Sequence, residues 1–325
     1  MIAYIVRRIT YAIPILLGVN LLTFSLFFFV NSPEDMARLH LGVKRVSADA
    51  IASWKAAHGY DKPLFFSPDA AGLDKLSQTL FFQHSLRLFI FDFGQADDGR
   101  DISRDILTRM GPSLSIALPT LVIGLLIHLS VALFLVMVRG SRLDALGVVL
   151  SVALMSISTL FFVIGGQLLF SKLLNLVPIS GYDSGWSAAR FVILPISIGV
   201  ISGLGATVRL YRSFFLEESE KDYVRTARAK GLSETAILFR HILPNALIPI
   251  LTGVVVVIPF LFTGSLIMES FFGIPGLGSY LIDAINHQDF SIVRAMVFLG
   301  SVLYILGLIL TDISYTIADP RIRLN

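Results

Sequence analysis

Cysteine is absent from this 325-residue chain. Disulfides, thiolate metal sites and a cysteine nucleophile are therefore excluded. The absence fits a bacterial membrane protein exposed to the export side. Charge is scarce too: Asp, Glu, Lys and Arg together make 15% of residues, against about 25% in soluble domains. No GxxxxGK[ST] phosphate loop occurs, so the chain shows no means of cradling a nucleoside triphosphate, and ATP-driven work would fall to another polypeptide. GxSxG and HExxH are missing as well. With no nucleophile–base constellation to assemble, a membrane-embedded enzyme is disfavoured.

What is present is apolar sequence. Hydrophobic residues make up 55% of the chain and mean hydropathy is +0.77. Six runs approach or exceed the roughly 20 residues needed to cross hydrocarbon: Ile9–Val30, Leu114–Val138, Leu146–Leu169, Phe191–Val208, Ala246–Met268 and Ala295–Ile317. The expectation is an all-α polytopic membrane protein with six transmembrane helices. The first run is long and no small-x-small cleavage site follows it, so it is kept as an anchor.

Basic residues set the orientation. Arg7 and Arg8 precede the first run, and Arg139 and Arg142 lie between the second and third. Arg209, Arg212, Lys221, Arg225, Arg228, Lys230 and Arg240 lie between the fourth and fifth, and Arg321 and Arg323 follow the sixth. The opposite short loops hold only Lys172, Arg190 and Arg294. Both termini are thus expected in the cytoplasm of a bacterial inner membrane protein. The formal charge of +3 is explained by this topology and needs no nucleic-acid partner.

The chain divides into 1–30, a cytoplasmic N-terminus and first span; 31–112, a sizeable extracytoplasmic region; and 113–325, a five-span core. In the second part, Ser47–His58 has the capping residue and spacing of an amphipathic helix. Leu80–Phe93 is too short and too interrupted for a seventh span. Ile102–Met110 is expected as a short helix leading into Pro112. No two spans are shortened or broken in matching positions, which counts against an inverted-repeat secondary carrier.

Intramembrane ionisable residues are the first place to look for function. Here they reduce to His128, with Arg209, Glu269 and Asp312 near span ends. A lone His128 is better explained as a hydrogen-bonded packing residue than as a relay, and Glu269 as a capping or pairing group. A proton- or sodium-driven carrier would need more buried carboxylates. Ser156, Ser158, Thr159, Thr263 and Glu269 are the pathway-lining candidates. Gly199, Gly203 and Gly205 permit close helix packing.

Asp222–Pro244, DYVRTARAKGLSETAILFRHILP, is a charged island between apolar runs. Its first helix, Glu220–Lys230, is basic with small residues. Gly231 can end it in a left-handed turn, and Ser233 can cap a second helix carrying Ala236, Ile237 and His241. Such a hook suits insertion into a partner's groove. It also suits an interfacial hairpin that joins two spans, and the residues alone leave both open.

The island resembles the EAA loop of binding-protein-dependent ABC importer permeases, specifically the oligopeptide/dipeptide/nickel permease B subunits. Gly231, Leu243 and Pro244 match the loop pattern and Ala227 fits its second alanine. Arg225 stands at the glutamate position and His241 at the isoleucine position. HGYDKPL (58–64), FDFG (91–94), RGSRLD (139–144), LVPISG (176–181), FFGIPGLG (271–278) and DPRIR (319–323) follow in family order; residues 65–80 have no counterpart. The resemblance implies a type I ABC importer permease fold with a cytoplasmic coupling helix in the loop 212–244. It also implies a second homologous permease subunit, two cytoplasmic ATPase subunits holding ATP and magnesium, and an extracytoplasmic solute-binding protein. The chain itself would be non-catalytic, would need no cofactor, and would touch only these partners and the lipid bilayer. Arg225, Ala227, Arg228, Gly231, Leu243 and Pro244 would form the ATPase-coupling loop. The implied cargo is di- or oligopeptide, with nickel complexes or another small solute as the alternative and a secondary carrier or channel as the remoter one.

Overall fold

A computed structural model describes residues 2–30, 32–42, 46–57, 59–68, 71–72, 74–183 and 185–318. His58 at the head of HGYDKPL, and the DPRIR segment with Arg321 and Arg323, lie outside the described residues, as do positions 69, 70 and 73 within the unmatched stretch.

Among the described residues the regular elements are all helices, with one isolated bridge, Gln95 to Asp101, as the only extended pairing. A long α1 (Ile2–Val30) is followed by four short helices, α2 (Pro33–Leu41), α3 (Ala48–Ala57), α4 (Asp74–Ser77) and α5 (Leu80–Ser85). Then come α6 (Ile102–Met137), α7 (Arg142–Ser156), α8 (Thr159–Gly166) and α9 (Ala189–Ser219). The island forms α10 (Asp222–Ala229) and α11 (Glu234–Ile237), and the chain ends through α12 (Leu243–Val257), α13 (Leu266–Phe272), α14 (Leu277–His287) and α15 (Phe290–Ala318).

Among the described residues, five helical stretches are long and apolar enough to cross a membrane: Arg7–Val30, Ile102–Met137, Gly185–Ser219, Glu234–Thr263 and Phe290–Ser314. The third expected span, Leu146–Leu169, is not one straight helix. It is broken between α7 and α8, and the segments Arg142–Ser156 and Thr159–Leu173 meet at 89°. Ile157 is extended and Ser158 starts a new helix by accepting the Leu160 N–H. Hydropathy misses this bend because both arms are apolar.

Three other boundaries differ from expectation. The short helix expected at Ile102–Met110 is the first part of α6, which runs on through Pro112 and Pro119. The Ser115 hydroxyl donates to the Pro112 carbonyl at 2.6 Å, the kind of local side-chain bond that lets membrane helices accommodate proline. The fifth span stops before Met268: a 3₁₀ turn at Ile258–Thr263 carries it to Gly264 at φ 74°, and Ser265 caps the separate α13. The last helix starts at Phe290, so Arg294 lies within it rather than at a loop edge.

The described helices cluster into two compact units, one built from residues 2–107 with 283–305 and the other from 108–282 with 306–318. In the first, Phe24, Met36, Tyr60 and Leu80 form an apolar core. Trp54 stacks on Tyr60 with ring centroids 5.7 Å apart. Ser47 caps α3 as expected, accepting the Ala50 N–H at 3.2 Å.

In the second unit α7 lies along α9 at very short range. A side chain at Gly205 would collide with the Ser151 carbonyl and come within 2.8 Å of the Met155 nitrogen. Gly199 is similarly tight against the Thr120 methyl at 2.8 Å. The small residues of the fourth span thus serve packing inside the chain. Many large apolar side chains point outward, among them Leu126, Val149 and Phe161, as expected where lipid or another subunit covers the surface.

An ion pair fastens the base of this unit. Arg212 of α9 donates to both Asp144 oxygens at 2.9 and 3.0 Å, and Asp144 also accepts the Gly140 N–H at 3.0 Å. The pair is largely buried, so removing one partner strands the other. Asp144→Ala is expected to cost about 2–3 kcal/mol in a detergent melt, and clearly less in an Arg212→Leu background. Equal losses in both backgrounds would mean the pair carries no coupling.

Candidate functional site

The island folds back onto its own chain before it can meet anything else. Val224 and Ala227 of α10, and Ile237 and Leu238 after it, are buried with Val208, Tyr211 and Phe215 of α9, Leu135 of α6 and Ile250 of α12. Burial of this face attaches the hook to three long helices at once. Across the Gly231 turn, Arg228 donates to both oxygens of Glu234 at 2.8 and 3.1 Å. That fork holds the Glu234 carboxyl below its usual range. The sign is that of a lowered acid: the pair contributes above the unfolded value of Glu234 and is lost as pH falls through the folded one. Gly231 sits at φ 77°, the left-handed conformation that side chains disfavour. Tyr223 donates to Glu218, and burial, then this bond, pushes its hydroxyl up to about 12.

The outward face of the hook is different in character. Arg225, Arg228, Lys230, Leu232 and Phe239 are all exposed, with Arg225 held by Asp222 at 3.3 Å. Basic and apolar groups share this exposed face. Phe239 and Leu232, 49% and 40% accessible, are not among the coupling residues named from the sequence, which are the basic and small ones and the Leu243-Pro244 match.

Two adjoining cavities, about 400 and 330 Å³, lie along α6, α9 and α12. Thr120, Leu121, Gly199 and Val257 line both. One end reaches Tyr211 and Phe214, next to the seat of the hook; the other reaches Ser265 and Glu269. The lining is apolar with a few hydroxyls, and the Thr120 hydroxyl is buried without a hydrogen-bond partner. His128 borders the first cavity and bonds the Val200 carbonyl through Nε2 at 2.9 Å. It ties α6 to α9, as a packing histidine would.

Glu269 closes the far end as the centre of a knot. It is 1% exposed. Its oxygens accept from the Ser113 hydroxyl at 2.8 Å, the Ser265 N–H at 3.0 Å and the Ser279 N–H at 3.1 Å. The Ser113 oxygen in turn accepts the Leu277 N–H at 2.8 Å. The FFGIPGLG turn is thereby fixed to α6.

Of the pathway candidates, Glu269 borders one of these two cavities and the other four line neither. Ser156 is exposed and bonds back to the Val152 carbonyl at 2.8 Å; Ser158 caps α8; Thr159 sits beside it; and Thr263 donates to the Phe260 carbonyl at 2.8 Å. Of the coupling-loop candidates, Arg225, Arg228, Gly231 and Pro244 are exposed, Leu243 is half-buried and Ala227 faces the chain's own core. Among the described residues no group of His, Asp and Glu is arranged to hold a metal ion.

Residues 128–324 match the family described as the binding-protein-dependent transport system inner membrane component, and residues 1–67 match its N-terminal family. The chain is 34% identical over 331 residues to a putative peptide transport system permease protein of Brucella abortus, covering 99% of each. It is 32% identical over 349 residues to the di/tripeptide transport system permease protein of Pseudomonas aeruginosa, again covering 99% of each. The glutathione transport system permease protein of Salmonella typhimurium is 32% identical over 327 residues, with 99% of each chain covered.

Proposed function

Because the chain belongs to the family of binding-protein-dependent transport system inner membrane components, we propose that it is the permease subunit through which an ATP-driven importer moves short peptides. The peptide cargo is inferred from relatives named for peptide, di/tripeptide and glutathione transport. A second permease subunit would complete the path, two ATPase subunits holding ATP and magnesium would drive it, and a solute-binding protein would deliver cargo. The hook and both termini would face the cytoplasm, following the basic residues of the short loops.

The observation that carries this reading is the two-faced hook. Its buried face is locked onto α6, α9 and α12, the helices that border the cavities. Its exposed face offers Arg225, Arg228, Leu232 and Phe239 to a partner's groove. Force applied to the exposed face by ATPase closure would pass to the cavity walls as movement of packed helices. A coupling role needs contacts that differ between the two states of the motor, and the charged, apolar-tipped turn is the surface that would make them. A path lined by backbone, methyl groups and a few hydroxyls suits cargo of varied side chains, with selectivity left to the binding protein.

Gly231→Val tests the role. A Cβ at this position meets nothing within 4 Å, so the variant has room, but it forces a β-branched residue into the left-handed region at about 1–2 kcal/mol or more. The expected result is normal insertion of the chain, a loss of ATPase co-purification and at least a tenfold fall in tripeptide uptake. Unchanged assembly and uptake would remove the coupling role. Uptake of a nickel complex in place of peptide would redirect the cargo while leaving the coupling intact.

A further inference from the structure

We propose that a pocket beside the start of α15 binds a carboxylate group. The pocket, about 560 Å³ and largely polar, lies wholly within the first unit. Such a volume is within the range of small-ligand sites. Arg294 lines it from the second turn of α15 and is only 9% exposed. Its Nε has no hydrogen-bond partner, and among the described residues no carboxylate lies within ion-pair distance of its guanidinium. Buried charges are ordinarily paired; this one has no carboxylate partner among the described residues.

The nearby acids are engaged elsewhere. Asp289 accepts the Asp97 N–H at 2.9 Å and the Ile292 N–H at 3.1 Å. Asp92 accepts the Gly94 N–H at 3.1 Å and Asp101 the Arg104 N–H at 3.0 Å. Each of these carboxylates shapes the backbone around the pocket. The planar fork of a guanidinium matches a carboxylate through two parallel N–H donors. Gln83 adds to the donor set: its Oε1 accepts from Lys62 at 2.7 Å, leaving the amide N–H groups as donors at the wall. The aspartates of the rim carry the opposite sign, so a ligand with both an ammonium and a carboxylate fits better than a plain anion. A short peptide, with an ammonium at one end and a carboxylate at the other, has that chemistry. So does an acidic side chain beside a lysine on a docked protein, and the experiment separates these two sources.

The full chain in lipid nanodiscs is titrated with trialanine and with C-amidated trialanine. With a free peptide as the source, trialanine binds and loses on the order of tenfold to a hundredfold in affinity on amidation. Arg294→Gln gives the same loss, and Arg294→Lys keeps part of the affinity. Amidation perturbs the ligand alone, so this arm stands even where the variants fold poorly. With a docked protein as the source, trialanine does not bind, and Arg294→Gln weakens association of the solute-binding protein with the assembled importer by tenfold or more, Arg294→Lys by less. The proposal is overturned where amidation leaves trialanine binding unchanged, or trialanine does not bind, and binding-protein association ignores Arg294. The choice of a peptide probe rests on the importer reading, so peptide uptake is measured in parallel. Lost cargo specificity with Arg294-dependent binding intact would sink that reading and leave the site standing.

Discussion

Gly205→Val is expected to deplete the folded chain from the membrane. A Cβ at this position runs into the Ser151 carbonyl oxygen and approaches the Met155 nitrogen to 2.8 Å, both on the backbone of α7. A flexible side chain could rotate out of the way, but a helix backbone has to move as a body. Overpacking ordinarily costs about 1–3 kcal/mol when side chains absorb it, so about 3 kcal/mol or more is expected here. Against a typical total of about 5–15 kcal/mol, that is a large share. The shift would also disturb the Asp144–Arg212 pair that joins the same two helices. Gly165→Ala is the matched control, because a Cβ there meets nothing within 4 Å and alanine is the better helix former. Membrane-fraction yield and a detergent melt read both variants. A Gly205→Val chain that melts with Gly165→Ala would show that α7 and α9 do not depend on this contact.

Much of this architecture was legible because the signals are local and strong. Apolar runs marked five of the spans, Ser47 and Ser233 marked helix starts, and Gly231 marked the island's turn at φ 77°. What escaped was set by tertiary geometry. The break at Ile157–Ser158 has no polar signature, since a serine in an apolar run either bonds back one turn, as Ser156 does, or starts a new helix, as Ser158 does. Pro112 looked like a helix boundary and is not one, because α6 continues through it. The cavity lining was invisible for a related reason. Thr120 and Gly199 sit on different helices and meet only after α6 packs on α9, whereas Ser156 and Thr263 looked like pathway hydroxyls and are satisfied within their own segments. Ala227 was identifiable as a small residue needing close approach, but the sequence could not say that the surface it approaches includes Phe215 and Val208 of its own chain.

Glu269→Ala is expected to abolish uptake and lower the melting temperature, because it removes the centre of the knot. The carboxylate accepts from Ser113, Ser265 and Ser279. Among the described residues no Lys or Arg pairs with it, so its charge is held by donors from α6 and the surrounding turns. Removing the acceptor leaves several buried donors unsatisfied at about 1–3 kcal/mol each. Water entering the space would recover part of that, which puts the net loss at about 3 kcal/mol. Glu269→Gln keeps one oxygen and replaces the other with an amide donor. Placed to satisfy Ser113 and Ser265, that amide faces the Ser279 N–H donor to donor, so an intermediate loss is expected. Ser113→Ala provides the independent check, because the same hydroxyl donates to Glu269 and accepts from Leu277. In the knot, Glu269→Ala and Ser113→Ala combined should lose less than the sum of the two single variants. Strict additivity, or a Glu269→Ala chain with unaltered melting and uptake, would show that the turn is held by its own backbone. A selective loss of uptake with normal melting would instead place Glu269 at the working end of the cavity, where its loss changes what passes rather than whether the chain stands.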